Sequence, residues 1–435
     1  MKPNTKPLPG MMELLPQEQI EFDRVLGVIK KHHANYGFSP IDTPIIERTE
    51  TLLAKAGGET EKQIYRFKKG DHDLSLRFDL TVPTARFVAD NFGELTFPFK
   101  RSQIGKVYRG ERSQRGRFRE FYQCDIDVIG RDTLSVNYDA EVIAVIYEIF
   151  RELNFGKFTL RINNRNIISG LISSLGLNNK SSDIMALIDR AEKISSDEFH
   201  SQLTAFGFSK DNNQIINQFI NISGESREVL DRLRQLSGFL PNNERFNQGI
   251  DELTQVSEIL LAMGVSEDYF KLDMLIVRGL DYYTGTVFET NLNDFKEIGS
   301  VASGGRYDNL VSYYSKEKLP GVGASIGLTR LFGCLRELEL IKAGKKTPAE
   351  ILILPFSNNE LNKSLEIATD LRTKNIKVEV LLEDMSVKKA FKLADKRGVE
   401  FVLPVGENEV SSNNFMVKNM ISGATTDLGS WVKNL

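Results

Sequence analysis

The stretch VYRGERSQRGRFREFYQCDIDVIG (107–130) decides the fold that this sequence predicts. Its two ends alternate apolar and polar residues, and its centre is rich in arginine and glycine. This pattern predicts two antiparallel strands, at about 103–111 and 118–129, joined by a basic loop. Successive side chains of a strand point to opposite faces. One face of the second strand is therefore polar, and it holds Arg119, Phe121, Gln123, Asp125 and Asp127.

Two other predicted strand faces share this polar character. On the first strand the face holds Val107, Arg109 and Glu111. The segment DLSLRFDLTVP (73–83) alternates in the same way and predicts a half-buried strand, with Ser75, Arg77, Asp79 and Thr81 on one side. Polar faces of antiparallel sheets often simply meet water. These faces combine Arg, Asp and Gln and contain no Lys, which favours a binding site for a zwitterionic, charged or nucleotide ligand.

Composition limits the classes of protein that fit this chain. Its 435 residues predict two or three domains, and 41% hydrophobic with 26% charged residues is ordinary for a soluble globular protein. No apolar run is long enough to cross a bilayer and the N-terminus lacks an apolar signal core, so we expect no membrane association and a cytoplasmic location. The two cysteines, Cys124 and Cys334, argue against a disulfide framework and a cysteine-rich zinc site.

The charge pattern limits how a polyanion would bind. The net charge of −3 provides no overall positive field, so a nucleic acid would have to bind through local patches. One such patch is the basic loop, with Arg109, Arg112, Arg115, Arg117 and Arg119. The four histidines lie outside the polar strand faces, the basic loop and the glycine-containing motifs, which argues against histidine-based acid–base or metal chemistry.

The pattern of apolar and polar residues divides the chain into four segments. Residues 1–177 contain the predicted strands with polar faces, and strand-like sequence returns in residues 263–342. Between them, polar clusters separate short amphipathic helices in residues 178–262, which predicts a helical insertion. In residues 343–435 strand-like and helix-like stretches alternate, which predicts βαβ units and a separate small domain with a largely parallel sheet.

Three glycine-containing motifs and one lysine-rich helix offer further candidate binding residues. They are VRGLDYYTGTVFE (277–289), SGGRYDNLV (303–311), GVGASIGLTRL (321–331) and SVKKAFKLADKRG (386–398). The tyrosines of the first motif also fit a plain hairpin. The glycines of the third could simply make turns, because their spacing differs from that of the dinucleotide fingerprint. The lysines of the helix are typical of a solvated helix face.

One more segment, IDTPIIE (41–47), predicts an edge or interface strand, because Pro44 removes a backbone donor. With this segment included, the sequence resembles the histidyl-tRNA synthetases, a family of class II aminoacyl-tRNA synthetases, over essentially its full length. In this resemblance 41–47, 107–130 and 321–331 correspond to the three motifs of the class, and 278–289 and 303–308 to the two signatures of the histidine family.

The resemblance implies an α+β fold: a class II synthetase antiparallel sheet flanked by helices, with a helical insertion and a C-terminal α/β anticodon-binding domain. Residues 1–177 and 263–342 would form the catalytic core, residues 178–262 the insertion, and residues 343–435 the anticodon-binding domain. The resemblance also implies a homodimer, and the strand that carries Pro44 would lie at its interface.

The resemblance further implies a pocket in which ATP and L-histidine lie side by side. ATP would be bound by Arg109 at the α-phosphate, Glu111 at the adenine amino group, and Phe121 and Arg330 on the two faces of adenine. L-Histidine would be bound by Asp79, Thr81, Gln123, Asp127, Arg278, Asp281, Tyr282 and Tyr283. Arg109 and Arg278 would be the catalytic residues, on opposite sides of the α-phosphate. Mg²⁺ would be bound through the phosphates, and no protein side chain is assigned as a metal ligand.

Histidine tRNA would be the second substrate. Its acceptor end would meet Arg112, Gln114, Arg115 and Arg117, and its anticodon arm Lys388 and Lys392. The implied reaction is ATP-dependent activation of L-histidine to histidyl adenylate, followed by transfer to the 3′ end of the tRNA, without a protein nucleophile. Two alternatives remain: a non-charging, synthetase-like regulatory subunit of ATP phosphoribosyltransferase, and a class II synthetase for another amino acid. The terminal domain and the intact RGLDYYTG favour the charging enzyme for histidine.

Overall fold

A computed structural model describes residues 3–54, 58–112, 116–277, 283–308, 311–341, 344, 346–383 and 385–434, except for the side chains of 58–60. The chain divides into two compact units, which are described separately. The first comprises Met1–Met12 and Leu26–Leu340, and the second comprises Glu13–Val25 and Ile341–Leu435. Within the described residues, none of the helices combines the length and the apolarity needed to span a bilayer.

The first unit is built on a mixed sheet. Its strands are β1 (Ser39–Pro40), β5 (Phe99–Tyr108), β6 (Glu120–Ile129), β7 (Phe158–Asn164), β8 (Phe270–Leu272), β9 (Tyr283–Leu292), β10 (Ser300–Tyr307) and β11 (Gly321–Gly327). They lie in the order β1-β5-β6-β11-β10-β9-β7-β8. Neighbours are antiparallel, except that β1 pairs parallel with β5 and β7 pairs parallel with β8. A smaller antiparallel sheet has the order β2-β4-β3, with β2 (Ile46–Arg48), β3 (Arg66–Lys69) and β4 (His72–Leu76).

Helices flank this sheet. They are α1 (Pro16–Asn35, shared between the units), α2 (Thr49–Leu53), α3 (Gly58–Gln63), α4 (Thr81–Asp90), α5 (Asn137–Leu153), α6 (Arg165–Ser174), α7 (Ser181–Ile188), α8 (Ser196–Ala205), α9 (Lys210–Ile220), α10 (Ser226–Ser237), α11 (Glu244–Ala262) and α12 (Leu328–Glu337). Short 3₁₀ turns occupy Asn178–Lys180, Ala191–Lys193, Glu267–Tyr269, Lys296–Ile298 and Val311–Tyr313. Helix α5 is buried on nearly all sides because β11 and α11 both pack against it. Helix α11 also contacts α6 and β7, so the last helix of the predicted insertion lies against the sheet.

Two predicted strands have different bounds in the structure. The strand predicted at 73–83 ends at Leu76, and helix α4 begins at Thr81. Asp79 Oδ1 accepts a hydrogen bond from the backbone N–H of Val82 at 2.9 Å, which satisfies a donor of the first helical turn, and Pro83 is tolerated in that turn. The strand predicted at 41–47 is mostly absent: only its last two residues belong to β2, and Pro44 lies in the irregular segment between β1 and β2, so the prediction of an edge strand at Pro44 is wrong.

Two more differences concern the sheet around the predicted basic loop. The strand predicted at about 103–111 spans Phe99–Tyr108, so it includes Arg101 and leaves Arg109 and Glu111 in the loop. The glycines of GVGASIG do not make turns, since Gly321–Gly327 is strand β11 between β6 and β10. The helix predicted near 133–154 is α5 and is correct within a few residues at its N-terminal end.

The second unit contains its own sheet. Its strands are β12 (Ile351–Pro355), β13 (Val378–Val380), β14 (Phe401–Val405), β15 (Met416–Asn419) and β16 (Thr425–Asp427), in the order β13-β12-β14-β15-β16. Its helices are α13 (Asn358–Thr373), α14 (Val387–Arg397), α15 (Glu407–Ser412) and α16 (Leu428–Lys433). Strand β12 pairs parallel with β13 and β14, as the βαβ pattern predicted, and β15 and β16 add an antiparallel edge.

Apolar clusters cover both faces of that sheet, which explains why its strands read as continuous hydrophobic runs. Ile351 and Ile353 pack with Leu371 on one face, and Leu352 packs with Ala394 on the other. The α+β class is thus confirmed, with a large sheet flanked by helices and a separate C-terminal α/β unit. The large sheet is mixed, because β1 and β8 pair parallel with their neighbours.

Candidate active site

A cavity of about 490 Å³ lies over the centre of the large sheet. Most predicted site residues line it: Asp79, Thr81, Arg109, Glu111, Arg117, Phe121, Gln123, Asp127, Tyr283 and Arg330. Arg112 is exposed and does not line the cavity, and Lys388 and Lys392 are exposed on α14 of the second unit. Gln114, Arg115, Arg278, Asp281 and Tyr282 lie outside the described residues.

Strand β6 supplies the floor of the cavity through strict alternation. Phe121, Gln123, Asp125 and Asp127 all line the cavity, and the intervening Cys124, Ile126 and Val128 are buried in the core. Arg119 precedes the strand and does not line the cavity, because its Nε donates to the backbone oxygen of Glu111 at 3.0 Å. The polar face predicted for this strand is therefore a cavity floor from Phe121 onward.

Asp79 and Thr81 reach the cavity through a turn, not through a strand face. The turn between β4 and α4 places both side chains at the start of the helix. Burial raises the pKa of Asp79, and the hydrogen bond from Val82 and the charge of Arg109 oppose that rise. Arg77, predicted on the same face, is buried elsewhere and donates to the backbone oxygens of Thr43 at 2.7 Å and Lys106 at 2.8 Å.

Aromatic rings hold Arg109 at one end of the cavity. Its guanidinium carbon lies 4.4 Å from the centroid of the Phe78 ring and 5.0 Å from that of Phe121. Its Nε donates to the backbone oxygen of Phe78 at 3.3 Å. Such cation–π contacts fix the plane of the guanidinium at this end of the cavity. Arg117 Nη1 donates to Glu111 Oε2 at 3.3 Å, so this end of the cavity combines cations with a carboxylate.

Arg330 lies across the same end, in the first turn of α12. Its Nη2 donates to the backbone oxygen of Ile298. Burial lowers the pKa of Arg330, and the neighbouring positive charge of Arg117 acts in the same direction. A half-buried guanidinium near an aromatic floor residue is suited to a planar ring or an anion.

The opposite end of the cavity is acidic. The Tyr307 hydroxyl donates to Asp127 Oδ1 at 2.8 Å, and Arg101 Nη2 forms an ion pair with Asp127 Oδ2. Burial raises the pKa of Asp127, whereas the charge of Arg101 and these contacts lower it. Burial raises the pKa of Asp125 to about 7 against the effects of Arg101 and Ser325.

Glycines on β10 and β11 make room for these side chains. A Cβ at Gly323 would overlap Oδ1 of Asp127, and one at Gly321 would lie 2.5 Å from the ring of Tyr307. A Cβ at Gly305 would lie 2.9 Å from the ring of Tyr283. The backbone therefore approaches the acidic end closely where only glycine fits.

The sequence alone does not identify several residues of the cavity. Tyr307, Glu289 and Ser325 line it, Asp125 has no role assigned by the sequence although it lies on the predicted polar face, and Arg101 is buried beside Asp127. Tyr307 and Ser325 stand inside the glycine-containing motifs, so the motifs themselves were a usable signal. Arg101 is directly opposite Asp127 in the pairing of β5 with β6, which only the strand register reveals.

Comparison with known proteins gives consistent matches for both units. A family model described as "Histidyl-tRNA synthetase" matches residues 10–331, and one described as "Anticodon binding domain" matches residues 350–430. A histidine–tRNA ligase of Clostridium tetani is 48% identical over 417 residues, which is 96% of this chain and 94% of that protein. One of Finegoldia magna is 44% identical over 423 residues, 97% of this chain and 96% of that protein.

Two solved structures are also similar to this chain. The crystal structure of histidyl-tRNA synthetase from Nostoc sp. PCC 7120 matches with a TM-score of 0.93 at 37% identity, covering 100% of this chain and 99% of that one. A protein titled ATP phosphoribosyltransferase regulatory subunit/histidyl-tRNA synthetase, from Bacillus halodurans, matches with a TM-score of 0.76, covering 93% of this chain and 99% of that one. Its identity is 22%, so it shows the shared fold alone. With the family model matched over most of its length, this chain belongs to the histidyl-tRNA synthetase family.

Proposed function

We propose that this protein is a histidine–tRNA ligase that activates L-histidine with ATP and transfers it to the 3′ end of histidine tRNA. The proposal rests on one observation: a single cavity has two chemically different ends. One end has arginines and aromatic rings suited to a nucleotide, and the other has buried carboxylates suited to an amino acid with donor groups. Relatives named histidine–tRNA ligase match nearly the whole chain.

The nucleotide end would bind ATP. Arg109, held between Phe78 and Phe121, would contact the α-phosphate, and Arg330 would stack on adenine from the face opposite Phe121. Glu111 would accept a hydrogen bond from the adenine amino group. Arg278 would contact the α-phosphate and the histidine carboxylate from the side opposite Arg109.

The acidic end would bind histidine. Gln123 Nε2 donates to Ser325 Oγ at 3.0 Å, and its buried Oε1 has no hydrogen-bond partner within the described residues. That oxygen is an acceptor for the α-ammonium group, together with Asp79 and Thr81. Asp127 and Tyr283 would contact the imidazole ring. Asp281 and Tyr282, from the same signature as Tyr283, complete the proposed set.

The reaction then needs positioning and charge stabilisation instead of a protein nucleophile. An oxygen of the histidine carboxylate attacks the α-phosphorus, and pyrophosphate leaves with the electrons of the broken P–O bond. The 3′-terminal ribose hydroxyl then attacks the carbonyl carbon of the adenylate, and AMP leaves. Arg109 and Arg278 would stabilise the negative charge that develops on the α-phosphate oxygens, and one such interaction typically contributes about 3–4 kcal/mol.

Magnesium would accompany ATP. Among the described residues, no group of three His, Cys, Asp and Glu side chains could hold a metal ion by itself. The cavity carboxylate Glu289 fits an ion held mainly by phosphates, because Mg²⁺ in nucleotide sites takes one or two carboxylates. When bound, the ion would neutralise charge on the triphosphate.

Transfer RNA and a second subunit would be the macromolecular partners, in a cytoplasmic setting. Arg112, Gln114, Arg115 and Arg117 would meet the acceptor end, and the exposed Lys388 and Lys392 the anticodon arm as backbone contacts. A homodimer is supported by exposed apolar side chains on the small sheet and beside it, since Ile45 is 43%, Ile46 48% and Phe67 39% exposed. Sedimentation velocity tests the dimer.

The decisive experiment is ATP–pyrophosphate exchange with each of the twenty amino acids. We expect exchange with histidine alone, followed by charging of a histidine tRNA transcript. Exchange with another amino acid would contradict the specificity. Absence of exchange with all twenty would instead favour a non-charging regulatory subunit.

A further inference from the structure

Arg101 lies beside the acidic end of the cavity, on the same face of the sheet as Asp127. It stands opposite Asp127 in the pairing of β5 with β6, and its Nη2 forms an ion pair with Asp127 Oδ2. Its exposed fraction is 0%, and it does not line the cavity. A charge buried in this way is stable only with a counterion, so Arg101 and Asp127 act as one unit.

The carboxylates of the cavity floor provide the negative charge that balances this guanidinium. Its Nε and Nη1 have no hydrogen-bond partner within the described residues. Buried guanidinium groups normally donate to several acceptors. The charge of Arg101 acts on Asp79, Asp125 and Asp127, whose ionised forms it favours. Arg101 is therefore placed to balance the charge of the floor and not to build the fold through backbone contacts.

The ionisable groups around the floor come from several elements. They are Arg101 on β5, Asp125 and Asp127 on β6, Asp79 before α4, Arg109 after β5, Tyr283 on β9, Tyr307 on β10 and His33 on α1. Burial, with the charge of Arg101, lowers the pKa of His33 to about 3, so this histidine is neutral at physiological pH. Burial raises the pKa of Tyr307, so its hydroxyl stays protonated. Arg101 thus supplies the positive charge that faces Asp127.

We propose that Arg101 is a positioning residue that makes the site select the neutral imidazole form of histidine. With Arg101 present, Asp127 is part of a neutral pair, yet each of its oxygens keeps a lone pair for an imidazole N–H. Without Arg101, the buried carboxylate of Asp127 would lack its counterion, and a bound imidazolium would supply the missing positive charge. This proposal rests on the proposed function, since it concerns how histidine is chosen.

The first test measures the protons exchanged when histidine binds to the wild-type protein. Isothermal titration calorimetry at pH 6.0 in buffers of different ionisation enthalpy gives the number of protons released. Binding of the neutral ring releases roughly three quarters of a proton, because the ordinary pKa of histidine is about 6.5. The Asp125→Asn variant, measured in parallel, removes the contribution of that carboxyl. Binding without proton release in both proteins would overturn the proposal.

The second test uses the pH profile of the KM for histidine in pyrophosphate exchange between pH 5.5 and 8.5. In the wild type, KM should rise about tenfold per unit below the imidazole pKa. In Arg101→Met we expect KM to be raised at least tenfold at pH 8 and the rise at low pH to disappear or reverse, with the KM for ATP nearly unchanged. Arg101→Lys keeps the charge, so it should keep the wild-type slope.

Lys100→Met is the matched control. Lys100 is the adjacent residue of β5 and pairs with Glu141 at 2.8 Å, so it also loses a partly buried ion pair. It should keep the wild-type profile. A profile of Arg101→Met parallel to that of the wild type, or equal losses for histidine and ATP, would overturn the role of Arg101. If the wild type shows no exchange with histidine, the proposed function has failed instead. If Arg101→Met does not fold, the calorimetric test on the wild type still decides whether the site selects the neutral ring, and Arg101→Gln replaces Arg101→Met in the kinetic test.

Discussion

The hydroxyl of Tyr307 donates a hydrogen bond to Oδ1 of Asp127 at 2.8 Å, and both side chains are buried. Because Asp127 is proposed to contact the imidazole ring, loss of this bond should weaken histidine binding. A hydrogen bond to a charged group contributes about 1.5–3 kcal/mol, so Tyr307→Phe should raise the KM for histidine by about 10- to 100-fold. Pyrophosphate exchange with varied histidine measures this, and the KM for ATP should change little.

Tyr314→Phe is the control for this prediction. Its hydroxyl donates to the backbone oxygen of Thr51 at 2.8 Å, away from the cavity lining. It loses the same chemical group but should leave the KM for histidine unchanged. An equal effect in both variants would show that the loss at Tyr307 is structural.

The backbone of Gly323 determines how much space Asp127 has. A Cβ there would overlap Oδ1 of Asp127, so Gly323→Ala must displace the carboxylate or strand β11. We expect a loss of kcat/KM for histidine of about 100-fold or more, because displacement of binding groups by about 1 Å can cost that much. Gly27→Ala, on α1 with no atom within 4 Å of the added carbon, should be active. Wild-type exchange kinetics in Gly323→Ala would contradict this placement of Asp127.

The sequence predicts parts of this site because the relevant contacts are local. The polar face of β6 follows from alternation, a property of each strand alone, and the pairing of β5 with β6 follows from their short connection. The hydrogen bond of Gln123 with Ser325 joins residues 202 positions apart, and alternation in either strand says nothing of the register between them. For that reason the sequence alone leaves the glycines beside Asp127 open to interpretation as turns.

The turn before α4 shows a second limit. In DLSLRFDLTVP the alternation continues past Leu76, so the pattern predicts a strand through residue 83. Asp79 instead accepts a hydrogen bond from Val82 and starts a helix. A capping side chain competes with strand periodicity at such a position, and the choice depends on tertiary packing. Asp79 and Thr81 still reach the cavity, because the turn directs them there.

Ionisation of Asp125 should make the first unit less stable as the pH rises. Burial raises the pKa of Asp125 to about 7 from an ordinary value of 3.8, so between these values the folded protein holds a proton that the unfolded chain has lost. The protonated carboxyl therefore contributes to the free energy of unfolding at low pH, and this contribution is lost as the pH rises to about 7. The Asp125→Asn variant has no carboxyl to ionise at this position. Its free energy of unfolding, relative to that of the wild type, should therefore increase by about 2–3 kcal/mol between pH 5 and pH 8.

Urea unfolding at the two pH values measures this difference, and Asp273→Asn is the control. Burial acts to raise the pKa of Asp273, but the hydrogen bond from Arg161 at 2.7 Å and nearby positive charges lower it overall. That carboxyl is therefore ionised in both states above pH 5, and its substitution should shift stability by the same amount at pH 5 and pH 8. A constant difference for Asp125→Asn as well would contradict the raised pKa.

Arg278→Ala should abolish adenylate formation while the protein still folds. Arg278 lies outside the described residues, so this prediction rests on its place in the RGLDYYTG motif and on the proposed role at the α-phosphate. Exchange activity measured beside circular dichroism separates the two effects. Near-normal exchange would remove Arg278 from the catalytic pair and leave Arg109 to act without it.

Arg109 provides a direct test of the nucleotide end, because its contacts with two aromatic rings are described. The rings of Phe78 and Phe121 hold its guanidinium, and a lysine cannot reproduce that planar stacking or donate two parallel hydrogen bonds to a phosphate. Arg109→Lys should therefore lower kcat for exchange by about 100- to 1,000-fold, as expected for loss of a donor that stabilises developing charge. The KM for histidine should change much less, since the acidic end is intact.

Arg131→Lys is the matched control, because Arg131 also lies over a phenylalanine ring, 5.0 Å from the centroid of Phe92, but does not line the cavity. It should lose a stacked guanidinium and keep its exchange activity. Thermal unfolding of both variants then separates stability from chemistry: similar melting temperatures with a large kcat difference place the effect of Arg109 in the transition state. Equal activity in the two lysine variants would mean that stacking of Arg109 has no part in the reaction.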